Sequence, residues 1–115
     1  MAAPEDRTLV ERARSGDQEA FGQLVSRHER AMFAIARSYF ASAADAEDAV
    51  QEAFVKAFQS LAQLEAGSRF AAWLARTTVN TCLNMLRSRS DRVPLAEFAK
   101  TVGPGRKQGG LGRGL

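Results

Sequence analysis

Residues 70–89 read FAAWLARTTVNTCLNMLRSR, and their side chains repeat with the period of an α-helix. One predicted face is polar and carries Trp73, Arg76, Thr77, Asn80, Asn84 and Arg87. The opposite face is apolar and is expected to pack against the rest of the fold. It carries Ala72, Ala75, Val79, Cys82 and Leu86. The polar face needs another reason, because Asn and Thr are mediocre helix formers and an exposed Trp is uncommon. Aromatic, amide, hydroxyl and guanidinium groups stack on bases, bind base edges and neutralise phosphates. The pattern therefore predicts a helix that reads nucleic acid.

Two helices are predicted in the first forty residues. The first covers residues 5–14 and is terminated by Gly16. Its inward residues are expected to be Leu9, Val10 and Ala13. Asp17 then caps a long second helix. The inward residues of that second helix are expected to be Phe21, Leu24, Val25, Met32, Ile35 and Tyr39.

A third helix is predicted to begin at Ser42, with Asp45 three residues later in an acidic variant of the capping box. A break at Gly67 separates it from the fourth helix, for which Ser68 supplies a cap. No run alternates with the period of a strand, so we expect an all-α fold, a compact bundle of about four helices. The expected inward residues of the third helix are Ala46, Val50, Ala53, Ala57 and Leu61.

The composition changes near the end of the chain. Pro94 is expected to start a short turn that runs through Phe98. Residues 103–115 contain six glycines, one proline and three basic residues, too little apolar surface to offset the entropy of ordering them. We expect a helical domain over residues 1–101 and a disordered Gly-rich basic tail over residues 102–115.

Charge is distributed unevenly along the 115 residues. Residues 1–60 carry ten acids and seven bases, whereas residues 61–115 carry three acids and nine bases, giving −3 and +6. This layout suggests a basic surface for a polyanion and a more acidic surface for another partner. Ordinary solvated helix faces are the alternative explanation.

Several classes of function find no support in the sequence. There is no Ser/His/Asp or Cys/His set and no phosphate-binding glycine motif, so we expect no enzyme, no cofactor and no metal site. The single cysteine, Cys82, is expected to be a buried apolar residue, and His28 to be structural. No stretch has the length of a signal peptide or a membrane span, so we expect a cytoplasmic protein.

The third helix carries a second group of side chains, in the segment DAEDAVQEAFVKAF at residues 45–58. Phe54 and Phe58 widen its apolar face toward the side of Glu47 and Gln51, as in a surface that docks another helix. Two simpler explanations stay open. The two phenylalanines can belong to the core, and the acids of the first turns can complement the helix dipole.

These motifs together resemble region 2 of bacterial sigma factors, specifically the extracytoplasmic-function (ECF) group. GDQEAFGQLVSRHERAMFAIARSYF, DAEDAVQEAFVKAF and RFAAWLARTTVNTCLNMLRSR occur in the family's order, on the expected helices and at suitable separations. The resemblance covers about residues 17–92. The face predicted from periodicity coincides with the face that the family uses for DNA.

The resemblance implies two main partners. The third helix is expected to bind the clamp helices of the largest subunit of RNA polymerase core through Asp48, Gln51, Glu52, Phe54 and Phe58, with Asp45 and Glu47 nearby. The loop of residues 64–70 and the fourth helix are expected to recognise the promoter minus-ten element and hold its melted non-template strand. The matching residues are Arg69, Phe70, Trp73, Arg76, Thr77, Asn80, Asn84, Arg87 and Arg89. An anti-sigma factor is a further expected partner.

Three features depart from the family pattern. Thr77 and Thr78 replace an apolar pair that the family often carries, and Trp73 is followed by Leu74 rather than by the second tryptophan of primary sigma factors. We also expect no region 4 helix-turn-helix domain in these 115 residues. The alternative function is that of a sigma-like helical adaptor or decoy, which binds polymerase or a partner protein without productive promoter recognition.

Overall fold

The computed structural model describes residues 4–64 and 69–92, and within them it contains helices and no strand. The elements are α1 (Asp6–Arg14), α2 (Gln18–Arg37), α3 (Ala43–Gln59), a 3₁₀ turn (Leu61–Gln63) and α4 (Phe70–Arg92). The predicted all-α bundle of about four helices is confirmed. The chain forms two compact units, Met1–Asn84 and Met85–Leu115, which divide within α4.

A tight turn joins α1 to α2. Gly16 has a φ of 103°, in the left-handed region that glycine adopts without strain. Its N–H donates to Ala13 O at 3.0 Å, and the N–H of Asp17 donates to Arg12 O at 3.0 Å, which satisfies carbonyls left open at the end of α1. The Asp17 side chain then accepts from the N–H of Ala20 at 3.2 Å, which confirms it as the cap of α2.

Asp17 also forms an ion pair across this turn. Arg12 donates to Asp17 Oδ2 from Nε at 3.0 Å and from Nη2 at 2.9 Å. The hydrogen bond from Arg12, with that from the N–H of Ala20, holds the pKa of the Asp17 carboxyl below its ordinary value of 3.8. A lowered folded-state pKa stabilises the fold at neutral pH, and that contribution is lost as the pH falls below 3.8 through the folded value.

We expect Asp17→Ala to lower the thermal midpoint at pH 7, because α2 loses its cap and Arg12 loses its partner. Asp17→Asn should lower it less, since an amide oxygen still caps the helix. Thermal unfolding followed by circular dichroism at several pH values tests both expectations. The difference in thermal midpoint between wild type and Asp17→Asn should disappear below pH 3.8. A difference that does not change with pH would contradict a stabilising role of the ionised Asp17 carboxylate.

Helix α2 packs against both α1 and α3. The predicted inward residues of α3 and the 3₁₀ turn are all buried, together with Ala49. Ser42 is confirmed as the cap of α3, because its hydroxyl accepts from the N–H of Asp45 at 3.2 Å. The prediction for α2 is partly wrong. Its buried face is Ala20, Leu24, Met32 and Ala36, whereas Phe21, Val25, Ile35 and Tyr39 are half-buried.

The buried face of α4 differs from the one that periodicity predicts. Ala72 is exposed, whereas Thr78 and Thr81 are 0% exposed and lie in the core beside Leu74 and Cys82. Threonine tolerates this burial because its hydroxyl can donate to the carbonyl one turn earlier. Thr78 donates to Leu74 O at 2.9 Å, and Thr81 donates to Thr77 O at 2.8 Å. The inward face predicted from periodicity therefore omits both threonines.

The two buried threonines differ in what they bind outside α4. The Thr78 hydroxyl also lies 3.2 Å from Met32 Sδ, a weak acceptor. The Thr81 hydroxyl accepts from Lys56 Nζ of α3 at 3.2 Å. Thr81 thus links two helices by a charge-assisted hydrogen bond, whereas the hydroxyl of Thr78 is satisfied within its own helix.

Replacing each threonine by valine separates these roles, because valine has nearly the same shape but no hydroxyl. Thr81→Val should cost about 1 kcal/mol of unfolding free energy, the net value of a typical hydrogen bond. Thr78→Val should cost less than half of that, because only a contact within α4 and one to sulfur are lost. Urea denaturation measures both, and equal costs would contradict the assigned link.

Some predictions fall outside the described residues. These are the break at Gly67, the cap at Ser68, the turn from Pro94 and the tail of residues 102–115. Within the described helices, none combines the length and the apolar content needed to cross a bilayer.

Candidate nucleic-acid interface

The outward side of α4 presents the predicted polar stripe. Arg76, Asn80 and Asn84 are exposed, and Trp73 and Thr77 are half-buried. Within the described part of the chain, the Asn80 amide makes no hydrogen bond, so its donor and acceptor atoms face solvent. An amide next to a guanidinium one helical turn away can bind a base edge and a phosphate together.

Trp73 lies against the start of α4. Its ring stacks on Phe70 with centroids 6.2 Å apart and planes inclined by 29°. Phe70 in turn contacts the His28 ring of α2, with centroids 5.7 Å apart. The prediction that Phe70 contacts DNA is corrected here, since its side chain is 1% exposed. Phe70 instead forms the buried floor beneath Trp73.

The remaining predicted DNA contacts lie at the two ends of the helix. Arg69 is exposed just before α4, and Leu64 is buried, whereas residues 65–68 lie outside the described part. Arg87 is exposed and Arg89 is half-buried on the last turns of α4, in the unit Met85–Leu115. Both arginines take part in interactions within the chain.

A lysine that the sequence did not single out connects the two candidate surfaces. Lys56 donates to Thr81, the residue after Asn80, and forms an ion pair with Glu52 on α3 at 3.5 Å. No spacing rule predicts this contact, because Lys56 and Thr81 are 25 residues apart and both are common on exposed faces. Only the approach of α3 and α4 brings the two atoms together.

The acidic surface of α3 is largely as predicted. Glu47, Asp48, Gln51 and Glu52 are exposed, and Asp45 is half-buried. The two phenylalanines of α3 differ in exposure. Phe54 is 7% exposed and belongs to the core, which corrects its assignment to the docking surface, whereas Phe58 is 53% exposed. The Phe58 ring meets Phe21 of α2 edge to face, with centroids 5.3 Å apart.

An open groove runs between α2 and α3 beside these acids. Its apolar floor is Phe33 and Val50, and Glu29, Arg30, Glu47 and Gln51 form its rim. Arg37 lies over the Phe33 ring, 5.9 Å from the centroid. An apolar floor with a mixed charged rim suits a partner helix. The sequence interpretation missed the α2 side, although Phe33 follows Glu29 and Arg30 by four and three residues, the spacing of one helix face.

The charges of the two helices are opposite. Residues 43–59 contain four acids and one base, whereas residues 69–89 contain four arginines and no acid.

Cys82 is buried, as predicted, and desolvation raises the pKa of its thiol, so the thiol stays protonated and packs as a small apolar group. In the described residues no group of His, Cys, Asp and Glu is arranged to hold a metal ion.

Comparison with known proteins decides the family. The model of the Sigma-70 region 2 family matches residues 24–92. The chain belongs to this family. Its members are transcription initiation factors and not enzymes, which confirms the predicted non-enzymatic class. Region 2 here comprises α2 from Leu24 onward, α3 and α4.

Full-length relatives and solved structures give the same result. The ECF RNA polymerase sigma-E factor of Escherichia coli (strain K12) is 40% identical over 92 residues, 80% of this chain and 48% of that protein. The Haemophilus influenzae sigma-E factor is 39% identical over 104 residues, 87% of this chain and 54% of that protein. The chain thus spans about half the length of the curated relatives it matches.

Two solved structures are similar to this fold. One is an engineered region 2 of sigmaE in complex with GTAAAA, with a TM-score of 0.77, 38% identity, and coverage of 83% of this chain and 100% of that chain. The other is CnrH in complex with the cytosolic domain of CnrY, with a TM-score of 0.67, 40% identity, and coverage of 89% of this chain and 67% of that chain.

Proposed function

We propose that this chain is a promoter-recognition domain of the ECF sigma type, which binds RNA polymerase through α3 and holds the melted minus-ten non-template strand on α4. The observation that carries the proposal is the exposed row of Arg76 and Asn80 beside Trp73, on a helix with no acid between residues 69 and 89. The similar region 2 solved in complex with GTAAAA supports it.

The chemistry of α4 suits single-stranded DNA. The exposed Asn80 amide can pair with the edge of an unpaired adenine, and Arg76 can neutralise a phosphate. Trp73 offers part of its ring for stacking, which every base accepts. Unstacking one base costs a few kcal/mol, and these contacts together offset that cost. The mechanism is therefore binding of an opened strand without any bond-making step.

The groove between α2 and α3 suits the polymerase. The two clamp helices of the largest subunit present a helical surface, and a helix can place apolar side chains on Phe33 and Val50. The exposed carboxylates of Glu47 and Asp48 favour a partner with basic residues at the rim. The acidic α3 and the basic α4 give the polymerase and the DNA separate surfaces, as a factor that joins them requires.

A polypeptide regulator is also part of the proposal. CnrH, 40% identical, was solved in complex with the cytosolic domain of CnrY. This supports an anti-sigma factor as a further partner of the present domain, acting in the bacterial cytoplasm.

We expect Asp48→Arg combined with Gln51→Ala to abolish binding to a fragment of the polymerase clamp helices. The rim loses the Gln51 amide, and the exposed surface of α3 beside it exchanges the Asp48 carboxylate for a positive charge, which repels the basic residues expected on the partner. Glu19→Arg, the same charge change on an exposed residue of the first turn of α2, is the matched control and should bind normally. Pull-down with the clamp fragment measures binding, and circular dichroism checks helical content. Retained binding by the double variant would refute the α3 assignment.

We expect Asn80→Ala and Arg76→Ala to weaken DNA binding in different ways. Asn80→Ala should lose about 1–3 kcal/mol on GTAAAA and little on a scrambled oligonucleotide, since base-edge contacts carry sequence preference. Arg76→Ala should weaken both alike and lower the salt slope by about 0.7, as expected for one lost phosphate contact on a single strand.

Salt titrations of the full chain on both oligonucleotides separate these outcomes. If the two variants behave alike, the stripe does not read bases. If the wild-type chain binds the clamp fragment but shows no preference for GTAAAA, the result favours the adaptor or decoy function over promoter recognition.

A further inference from the structure

Helix α1 precedes the residues that the family model matches, and Asp6 is one of the residues through which it contacts α2. Asp6 Oδ2 lies 2.8 Å from His28 Nε2, and Asp6 Oδ1 accepts from Arg27 Nη1 at 2.9 Å. Each of the three side chains is less than one third exposed. A carboxylate with two partners on one neighbouring helix fixes the His28 ring in position.

The His28 ring in turn supports the start of α4. It packs on Phe70 with ring planes inclined by 58°, and Phe70 is enclosed by protein on its other sides, with 1% of its surface exposed. Trp73 stacks on Phe70. A continuous series of contacts therefore runs from Asp6 in α1, through His28 and Phe70, to the half-buried Trp73 on the stripe.

An aromatic ring that is held before binding loses less rotational freedom when a base stacks on it. In α4, Trp73 stacks on Phe70, and the residues nearby in sequence, Ala72 and Thr77, are smaller. Movement of Phe70 would release the indole. The orientation of the indole thus depends on the His28 ring and on the carboxylate that holds it.

We propose that Asp6 and His28 are positioning residues for Trp73, and that α1 thereby takes part in strand capture without contacting the strand. This inference rests on the proposed function, because it assigns the use of the positioned ring to stacking on an unpaired base. It also gives a role to a helix that the family model does not include.

The experiment uses the full chain, in which Trp73 is the only tryptophan, so its fluorescence reports this ring alone. Asp6→Ala should shift the emission maximum and weaken GTAAAA binding by roughly 2- to 10-fold, the size expected for ordering one side chain on binding. Binding of a scrambled oligonucleotide should weaken by a similar factor, because every base accepts stacking.

Glu11→Ala is the matched control, because it removes an acid from the same helix whose partner is Arg14 of α1 itself. It should change neither the emission maximum nor the affinity for either oligonucleotide. Asp6→Asn keeps an oxygen that can accept from a His28 N–H and should restore most of the affinity. His28→Ala should reproduce the loss, because Phe70 then lacks its supporting ring.

Each outcome supports or overturns the inference. If Asp6→Ala matches Glu11→Ala in emission and in affinity for both oligonucleotides, positioning is refuted. If Asp6→Ala fails to fold by circular dichroism, His28→Phe decides, since it keeps a ring on Phe70 but cannot bond Asp6; wild-type emission and affinity in that variant refute the inference. If Trp73→Ala itself leaves GTAAAA binding unchanged, the stacking role in the proposed function is what fails.

Discussion

The rotation of α4 about its own axis is the constraint on which both the fold and the candidate site depend. Phe70, Leu74, Thr78 and Cys82 are buried at intervals of four residues, with Thr81 buried beside Cys82, and they fix which side of the helix meets the core. The two threonines make this possible because their hydroxyls donate to carbonyls of the same helix. With that side fixed, Arg76 and Asn80 face solvent.

Two helix surfaces of opposite charge lie on one small domain. Acidic α3 and basic α4 each use an inner face for the core and leave the outer face exposed. The small buried face of α3, with Ala46, Ala49, Ala53 and Ala57, leaves little room for side-chain rearrangement between helices. Rigid presentation suits a binding domain, because it lowers the entropic cost of ordering the contacts.

Helix α1 is attached at both of its ends. Asp6 binds Arg27 and His28 at the start, and Arg12 pairs with Asp17 at the end. Between them, Leu9 and Val10 are buried. These contacts make α1 an integral part of the first unit, although the family model begins at residue 24. The boundary of a sequence family and the boundary of a packed unit therefore differ here.

Much of this protein was predictable from the sequence because helices are set by local rules. Period, caps such as Asp17 and Ser42, and the Gly16 turn depend on residues a few positions apart, and their order along the chain carried the resemblance to sigma region 2. The stripe of α4 and the acids of α3 were also readable, because exposed residues of unusual type mark a helix face.

What the sequence did not reveal are relations between helices. The predicted inward face of α4 omitted Thr78 and Thr81, and Phe54 and Phe70 were expected on binding surfaces, yet all four are buried. Burial is decided by what approaches from a neighbouring helix, and a hydroxyl that bonds its own backbone can be enclosed at little cost. The sequence by itself determined the helices, their charges and the family. Only the tertiary structure decided three further relations. Phe58 is exposed whereas Phe54 is buried, Lys56 reaches Thr81, and Asp6 bonds the His28 ring. Each depends on atoms that are distant in the chain.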